Sequence, residues 1–134
     1  MYRRAIMPII DHSKAPEVPW RPGYRKWDVT GREQGVTSTF SLNTGEPGTG
    51  APLHTHTIDE LIVIMEGTLE VRIDGETHIV PKNHTVAIPP GAEHAFTVIG
   101  DQAAEMLVFF PALDPYSEEH THYLEGARPA SVKD

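Results

Sequence analysis

Glycine and proline interrupt this sequence at short intervals, and they restrict the chain to short elements of secondary structure. The 134 residues include 11 glycines and 12 prolines. Proline breaks the interior of a helix and glycine weakens it, so this spacing leaves little room for long helices. The sequence also shows no internal repeat and, in its middle, no amphipathic helical stretch. We therefore expect short strands joined by turns.

Residues 36–113 carry the pattern of an all-β domain. Leu61–Met65 is apolar on both faces, whereas Thr68–Ile73 alternates apolar and polar side chains, as a half-buried strand does. Asp74 and Gly75 form the strongest hairpin signal, because a type I′ turn needs positive φ at both central residues. About seven or eight short strands are expected in this region, a number that favours a barrel or a sandwich.

The two ends of the chain differ from this middle region. Residues 1–35 contain four prolines and most of the lysines and arginines, with Trp20, Tyr24 and Trp27 among them. We interpret this segment as an extended N-terminal arm that lies against the barrel or against a neighbouring subunit. Residues 114–134 read as a polar C-terminal tail with at most a short helical turn.

The charge and the absence of cysteine exclude several classes of function. The formal net charge is −8, which disfavours nucleic acid and anionic membrane surfaces as partners, since both select basic patches. Without cysteine, any metal must be bound through nitrogen and oxygen. The N-terminus does not read as a signal peptide, because its apolar stretch is short and broken by Pro8. We therefore expect a cytoplasmic protein.

Three histidines and a glutamate form the most informative pattern. Residues two apart on a strand point to the same face, so His54 and His56 point together, and Glu60 joins them if the extended backbone continues. His94 on another strand is the natural fourth ligand. Such a site suits one divalent transition metal, Mn, Fe, Ni, Co, Cu or Zn. Octahedral geometry would leave two positions open for a substrate or for dioxygen.

A His-x-His pair by itself is more often not a metal site. Here the pair lies within a longer pattern of fixed spacing whose chance occurrence is roughly a few in ten thousand chains of this composition. The pattern comprises Gly48, His54, His56, Glu60 and Gly67. A second pair, His120 and His122, lies in the tail without such a context, and we expect it to be solvated.

These residues resemble the cupin superfamily, in particular its small single-domain, RmlC-like members. The pattern from Gly48 to Gly67 matches the first cupin motif at every fixed position, and Pro89, Gly91 and His94 match the core of the second. The resemblance implies a double-stranded β-helix, or jelly roll, around a metal held by His54, His56, Glu60 and His94. The second motif departs from the family at its ends, where Asn83 replaces glycine and Val98 replaces asparagine.

The resemblance leaves the activity open, because cupins include dioxygenases, isomerases, lyases and binding modules. Our first interpretation is a metal-dependent oxidoreductase of the dioxygenase type, or an isomerase or lyase, acting on a small organic substrate chelated to the metal. Glu60 is then a catalytic candidate, as a labile ligand or a proton acceptor. The alternative is a non-catalytic module that binds or senses a small molecule or a metal.

The face that carries the ligands predicts the pocket and the substrate. We expect the walls of the pocket to be apolar and to consist of Phe40, Ile62, Ile64, Phe96 and Val98. Between residues 36 and 110 the fixed cations are Arg72 and Lys82, neither of which is expected to enter the pocket. This favours a neutral or singly charged, partly apolar substrate that chelates through adjacent oxygens. The exception would be a cation of the arm that reaches the barrel, namely Arg21, Arg25, Lys26 or Arg32.

Leu61–Met65, the run that is apolar on both faces, also predicts the oligomeric state. If its even-numbered residues face the core, Leu61, Val63 and Met65 face outward, where they need a cover. We expect a homodimer that buries them, and the alternative is that the arm of the same chain covers them.

Overall fold

Eleven strands and two 3-10 turns are found in residues 9–132, the part of the chain that the computed structural model describes. The strands are β1 (Glu17–Val18), β2 (Tyr24–Thr30), β3 (Thr39–Gly45), β4 (Gly50–His56), β5 (Glu60–Glu66), β6 (Thr68–Ile73), β7 (Glu76–Pro81), β8 (His84–Ile88), β9 (His94–Ile99), β10 (Ala104–Phe110) and β11 (Thr121–Tyr123). The turns are His12–Lys14 and Arg32–Gln34. No helix among the described residues is long and apolar enough to cross a membrane.

The strands form two antiparallel sheets. The first has the order β1-β2-β3-β10-β5-β8 and the second the order β11-β4-β9-β6-β7. From β3 to β10 the chain passes back and forth between the two sheets, so that they face each other around one core. This arrangement is a double-stranded β-helix, and the predicted all-β jelly roll is confirmed.

The core lies between the two sheets and follows the alternation of the strands. Ile62 and Ile64 on β5 meet Leu69 and Val71 on β6, and none of the four is more than 1% exposed. The predicted hairpin joins β6 to β7, and both of its central residues have positive φ. The periodicity of these strands therefore determines which side chains enter the barrel.

The first sheet begins before residue 36, where the barrel was expected to begin. β2 pairs with β3 along most of its length, and its residues Tyr24, Lys26 and Val29 are buried. The C-terminal segment is also part of the fold, since β11 pairs with β4. Both segments that were expected to flank the barrel thus supply strands to it. Residues 1–8 of the arm and residues 133–134 of the tail lie outside the described part of the chain.

The outer face of the first sheet is apolar. In one row across four strands, Trp27 pairs with Leu42, Leu42 with Leu107, and Leu107 with Val63. Leu61 and Met65 on the same face are 36% and 46% exposed. We name this surface the outer apolar face; it consists of Trp27, Phe40, Leu42, Leu61, Val63, Met65, Leu107 and Phe109.

Phe40 was expected in the inner pocket, but the structure places it on the outer apolar face. It pairs with Phe109 and is only half-buried. The reason is the alternation of β3, which turns Ser41 and Asn43 inward and leaves Phe40 on the opposite side. The inner wall at this strand is therefore polar.

Candidate metal centre

Three strands bring the predicted ligands together. His54 and His56 lie on β4, Glu60 begins β5 and His94 begins β9, where it pairs with His54. All four side chains are buried, with residue exposures of 1% to 4%. One ligand atom from each can be chosen so that all four atoms lie within 4.8 Å of one another. The structure thus brings together every residue that the sequence proposed as a ligand.

Backbone carbonyls fix the orientation of two of the imidazoles. The Nδ1 atom of His54 lies 2.6 Å from the carbonyl oxygen of Pro52, and that of His94 lies 2.9 Å from the carbonyl oxygen of Ala92. A carbonyl oxygen can only accept a hydrogen bond, so each Nδ1 carries the proton. In the neutral ring, the lone pair is then on Nε2, the atom that faces the barrel interior.

A threonine fixes the third imidazole in the same way. The Nδ1 atom of His56 lies 2.8 Å from Oγ1 of Thr121, and this hydroxyl donates its own proton to the carbonyl oxygen of Pro115 at 2.6 Å. Since the hydroxyl proton is engaged, Oγ1 must accept from Nδ1 of His56. All three histidines are therefore held in the tautomer that presents Nε2 as a ligand.

The carboxylate of Glu60 completes the group. Its Oε1 lies 3.1 Å from Nε2 of His56 and 3.0 Å from Nε2 of His94. When the imidazoles are neutral, these three atoms are all acceptors and repel one another, so the arrangement needs a proton or a cation at its centre. Three nitrogens and one oxygen fit a divalent transition metal.

Burial and the neighbouring charges shift the pKa values of Glu60, His54 and His94 in different directions. Burial opposes the charge of Glu60, but the hydrogen bonds that the rings of His56 and His94 donate when they are protonated outweigh it and hold the pKa of Glu60 at about 2. Burial, together with the neighbouring His94, lowers the pKa of His54 to about 4. Burial acts in the same direction on His94, but there the hydrogen bond to Glu60 prevails and the pKa of His94 is raised.

A small enclosed cavity borders two of the four predicted ligands. It has a volume of about 30 Å³, and His54 and Glu60 lie in its wall. This space accommodates one or two molecules of the size of water. Aromatic side chains form much of the remaining wall; they are Trp20, Tyr24, Phe96, Tyr116 and Tyr123. A metal held by the four ligands would therefore have free coordination positions on this side.

The predicted pocket residues are only in part beside this cavity. Phe96 lines it, whereas Ile62, Ile64 and Val98 belong to the buried core. Four residues of the site that the sequence did not indicate come from the N-terminal and C-terminal segments. Tyr24 was assigned to the arm, and Tyr116, Thr121 and Tyr123 to the tail. No spacing pattern links these four residues to the histidines.

The second histidine pair does not join the centre. The ring of His120 contacts the hydroxyl of Thr57 at 2.7 Å, and His122 is exposed. Within residues 9–132, the group that could hold a metal contains neither of them.

Comparison with known families identifies the fold. Residues 42–110, just over half of the chain, match the cupin domain family. The chain belongs to the cupin superfamily. The resemblance seen in the two motifs is thereby confirmed.

Individual relatives cover parts of the chain. It is 35% identical over 83 residues to the polyketide synthase CurC of Streptomyces cyaneus, a match of 60% of this chain and 54% of CurC. It is 33% identical over 69 residues to quercetin 2,3-dioxygenase of Bacillus subtilis, covering 51% of this chain and 20% of the enzyme. The polyketide cyclase RemF of Streptomyces resistomycificus shares the fold, with a TM-score of 0.73, 17% identity and coverage of 91% and 88%.

We expect that replacing any one of His54, His56 or His94 by alanine sharply reduces the content of divalent metal, because each change removes one of four donors. Elemental analysis after loading and gel filtration measures this. The matched controls are His120→Ala and His122→Ala, which should keep the content of the parent protein. Full metal content in His94→Ala would remove His94 from the ligand set.

The role of Thr121 gives a second prediction. Thr121→Val keeps the shape of the side chain but removes the acceptor for Nδ1–H of His56, so the ring loses its fixed tautomer. We expect metal affinity to fall about 10- to 100-fold, measured by competition with a chelator. Thr57→Val, which removes the hydroxyl beside His120, is the control and should have no effect. Equal affinities in the two variants would contradict this role.

Proposed function

We propose that this protein is a metal-dependent enzyme that acts on a small organic molecule chelated through neighbouring oxygens. The observation that carries the proposal is the orientation of His54, His56 and His94, all held through Nδ1, with Nε2 of His56 and of His94 against Glu60 beside a cavity. A purely structural metal site would be closed on all sides, whereas this one borders open space. The reaction types that fit are oxidation by dioxygen and isomerase- or lyase-like proton transfer.

The donor set defines the kind of metal but not its identity. Three imidazoles and one carboxylate suit Mn, Fe, Ni, Co, Cu or Zn. Such an ion supplies Lewis acidity when bound and, if it is redox-active, electron transfer with dioxygen.

Glu60 is the proposed proton acceptor. Its carboxylate borders the cavity and is ionised at neutral pH, because the two histidines lower its pKa. A molecule in the cavity would meet this carboxylate and the ring of Phe96. Arg21 and the aromatic side chains of the wall enclose this space, and the exclusion of bulk water strengthens hydrogen bonds and proton transfer at the carboxylate.

The relatives support the proposed substrate class. CurC is a polyketide synthase protein, RemF a polyketide cyclase and the third relative a quercetin dioxygenase. Polyketides and quercetin carry carbonyl and hydroxyl oxygens on nearby carbons, an arrangement that chelates metals. We infer that the substrate of this chain also carries an enolisable or catechol-like group.

The alternative is a module that binds a small ligand without turnover. The volume of the cavity favours it, since about 30 Å³ does not hold an organic substrate unless the aromatic wall moves. The two candidates differ in whether a product is formed.

Turnover by metal-loaded protein distinguishes them. We expect conversion of a 1,3-diketone or a catechol, followed by an oxygen electrode and by mass spectrometry, and abolished in His94→Ala. Product formed with oxygen uptake indicates a dioxygenase, and product formed without it an isomerase or lyase. Binding without any product would leave the sensor or binding module.

We also propose that the protein is a homodimer that buries the outer apolar face. This face extends across four strands, and the exposed Leu61 and Met65 lie on it. Apolar surfaces of this extent are usually covered by a partner, and a second copy of the same face is the simplest one.

Light scattering at micromolar concentration tests the dimer. We expect the mass of two chains for the parent protein and of one chain for Met65→Glu, because the new charge would be buried at the interface. Ile79→Glu, at an exposed apolar position of the other sheet, is the control and should leave the mass unchanged. A parent protein with the mass of one chain would exclude the dimer.

A further inference from the structure

A lysine lies inside the barrel wall. The inner face of β2 carries Tyr24 and Lys26, and the facing positions of β3 carry Ser41 and Asn43; all four are at most 6% exposed. Tyr24 donates a hydrogen bond to Asn43, and the amide of Asn43 donates to Ser41. The wall formed by β2 and β3 is therefore polar, in contrast to the apolar core around β5 and β6.

The ammonium group of Lys26 has few partners. In the described part of the chain it makes one hydrogen bond, to Asp28 at 2.5 Å, and it lies 5.0 Å and 5.4 Å from the ring centres of Trp20 and Tyr116. An ammonium has three N–H groups, so two remain for a ligand. The carboxylate of Asp28 is half-exposed and can turn toward water. Burying a charge with two unbonded N–H donors costs free energy unless a ligand accepts hydrogen bonds from them.

The ammonium faces a cleft of about 370 Å³. Its polar wall includes Lys26, Ser41 and Thr39, and also the carboxylates of Asp28 and Asp114, of which Asp114 pairs with Arg32 at 3.1 Å. The hydroxyl oxygen of Thr39 is buried without a hydrogen-bond partner among the described residues. Trp20, Phe110 and Tyr116 contribute apolar surface. Because Asp114 pairs with Arg32 and Asp28 is half-exposed to water, the ammonium of Lys26, the hydroxyl groups and the aromatic rings are left to match a carboxylate attached to an apolar body.

The cleft adjoins the metal centre. Trp20 and Tyr116 line both the cleft and the small cavity beside Glu60, and their rings contact each other at 4.8 Å between centres. Phe110 in the cleft wall also contacts the ring of His56. This aromatic pair therefore forms part of the wall of both spaces, the cleft at Lys26 and the cavity beside the ligands.

We propose that the cleft around Lys26 is the subsite for a substrate carboxylate, so that the substrate is a singly charged, partly apolar acid. The proposal rests on the proposed function and makes its substrate class more specific. The carboxylate binds Lys26 and the hydroxyls of Ser41 and Thr39, and the rest of the molecule reaches the metal centre when Trp20 and Tyr116 separate. A phosphate dianion is less well matched, because one lysine beside Asp28 leaves little net positive charge.

Calorimetry with benzoate and its neutral counterpart benzamide tests the subsite. We expect the parent protein to bind benzoate about tenfold more tightly or better, and Lys26→Met to lose this preference, since a charge-assisted hydrogen bond is removed. Arg25→Met is the matched control, because Arg25 is exposed on the opposite face and pairs with Glu17. It should retain the preference of the parent.

Measurements on metal-loaded and chelator-stripped protein separate this proposal from the enzymatic one. Preference for benzoate in both forms supports the subsite even if no turnover is found, and preference only in the loaded form overturns it, since the metal would then bind benzoate. Equal preference in the parent and in Lys26→Met also overturns it. If Lys26→Met does not fold, Asp28→Asn should tighten benzoate binding, and unchanged or weaker binding would refute the subsite.

Discussion

Four acceptor atoms converge inside this barrel, and the rest of the site depends on how their mutual repulsion is relieved. The Nε2 atoms of His56 and His94 both approach one oxygen of Glu60 at about hydrogen-bond distance. Neutral imidazoles held with their protons on Nδ1 cannot donate to that oxygen. Only protonation or a bound cation makes the arrangement favourable, and a divalent transition metal satisfies all four donors at once.

The partners of the Nδ1 atoms show why the chain needs its C-terminal segment. Two of these partners are carbonyl oxygens next to the ligands in sequence, Pro52 and Ala92, but the third is Thr121 on β11. The pairing of β11 with β4 sets this threonine opposite His56. Tyr116, which precedes β11 in the sequence, packs against Trp20 of the N-terminal segment. The two ends of the chain thus close the barrel over the centre.

The sequence identified the four residues that the structure brings together, but part of the reasoning did not match the structure. Strand alternation correctly placed His54 and His56 on one face. Glu60, however, does not continue the same extended strand, since β4 ends at His56 and β5 begins at Glu60 in the other sheet. Thr121 could not be predicted, because no local pattern marks a threonine that orients a distant imidazole. Lys26 was one of four arm cations named as able to reach the barrel, but nothing in the sequence distinguished it from the other three. An inward lysine also contradicts the usual alternation of apolar side chains on a barrel strand.

The polar wall at β2 and β3 changes what the interior can recognise. With apolar walls alone, the metal would be the sole anchor for a substrate, and only neutral chelators would be bound without an uncompensated charge. Lys26 places a second anchor beyond the pair formed by Trp20 and Tyr116, while Ile62 and Ile64 keep the core around β5 apolar. A molecule fixed at a charged end and at a chelating end has one orientation. Under the proposed function, a single fixed orientation is the condition for a selective proton transfer to Glu60.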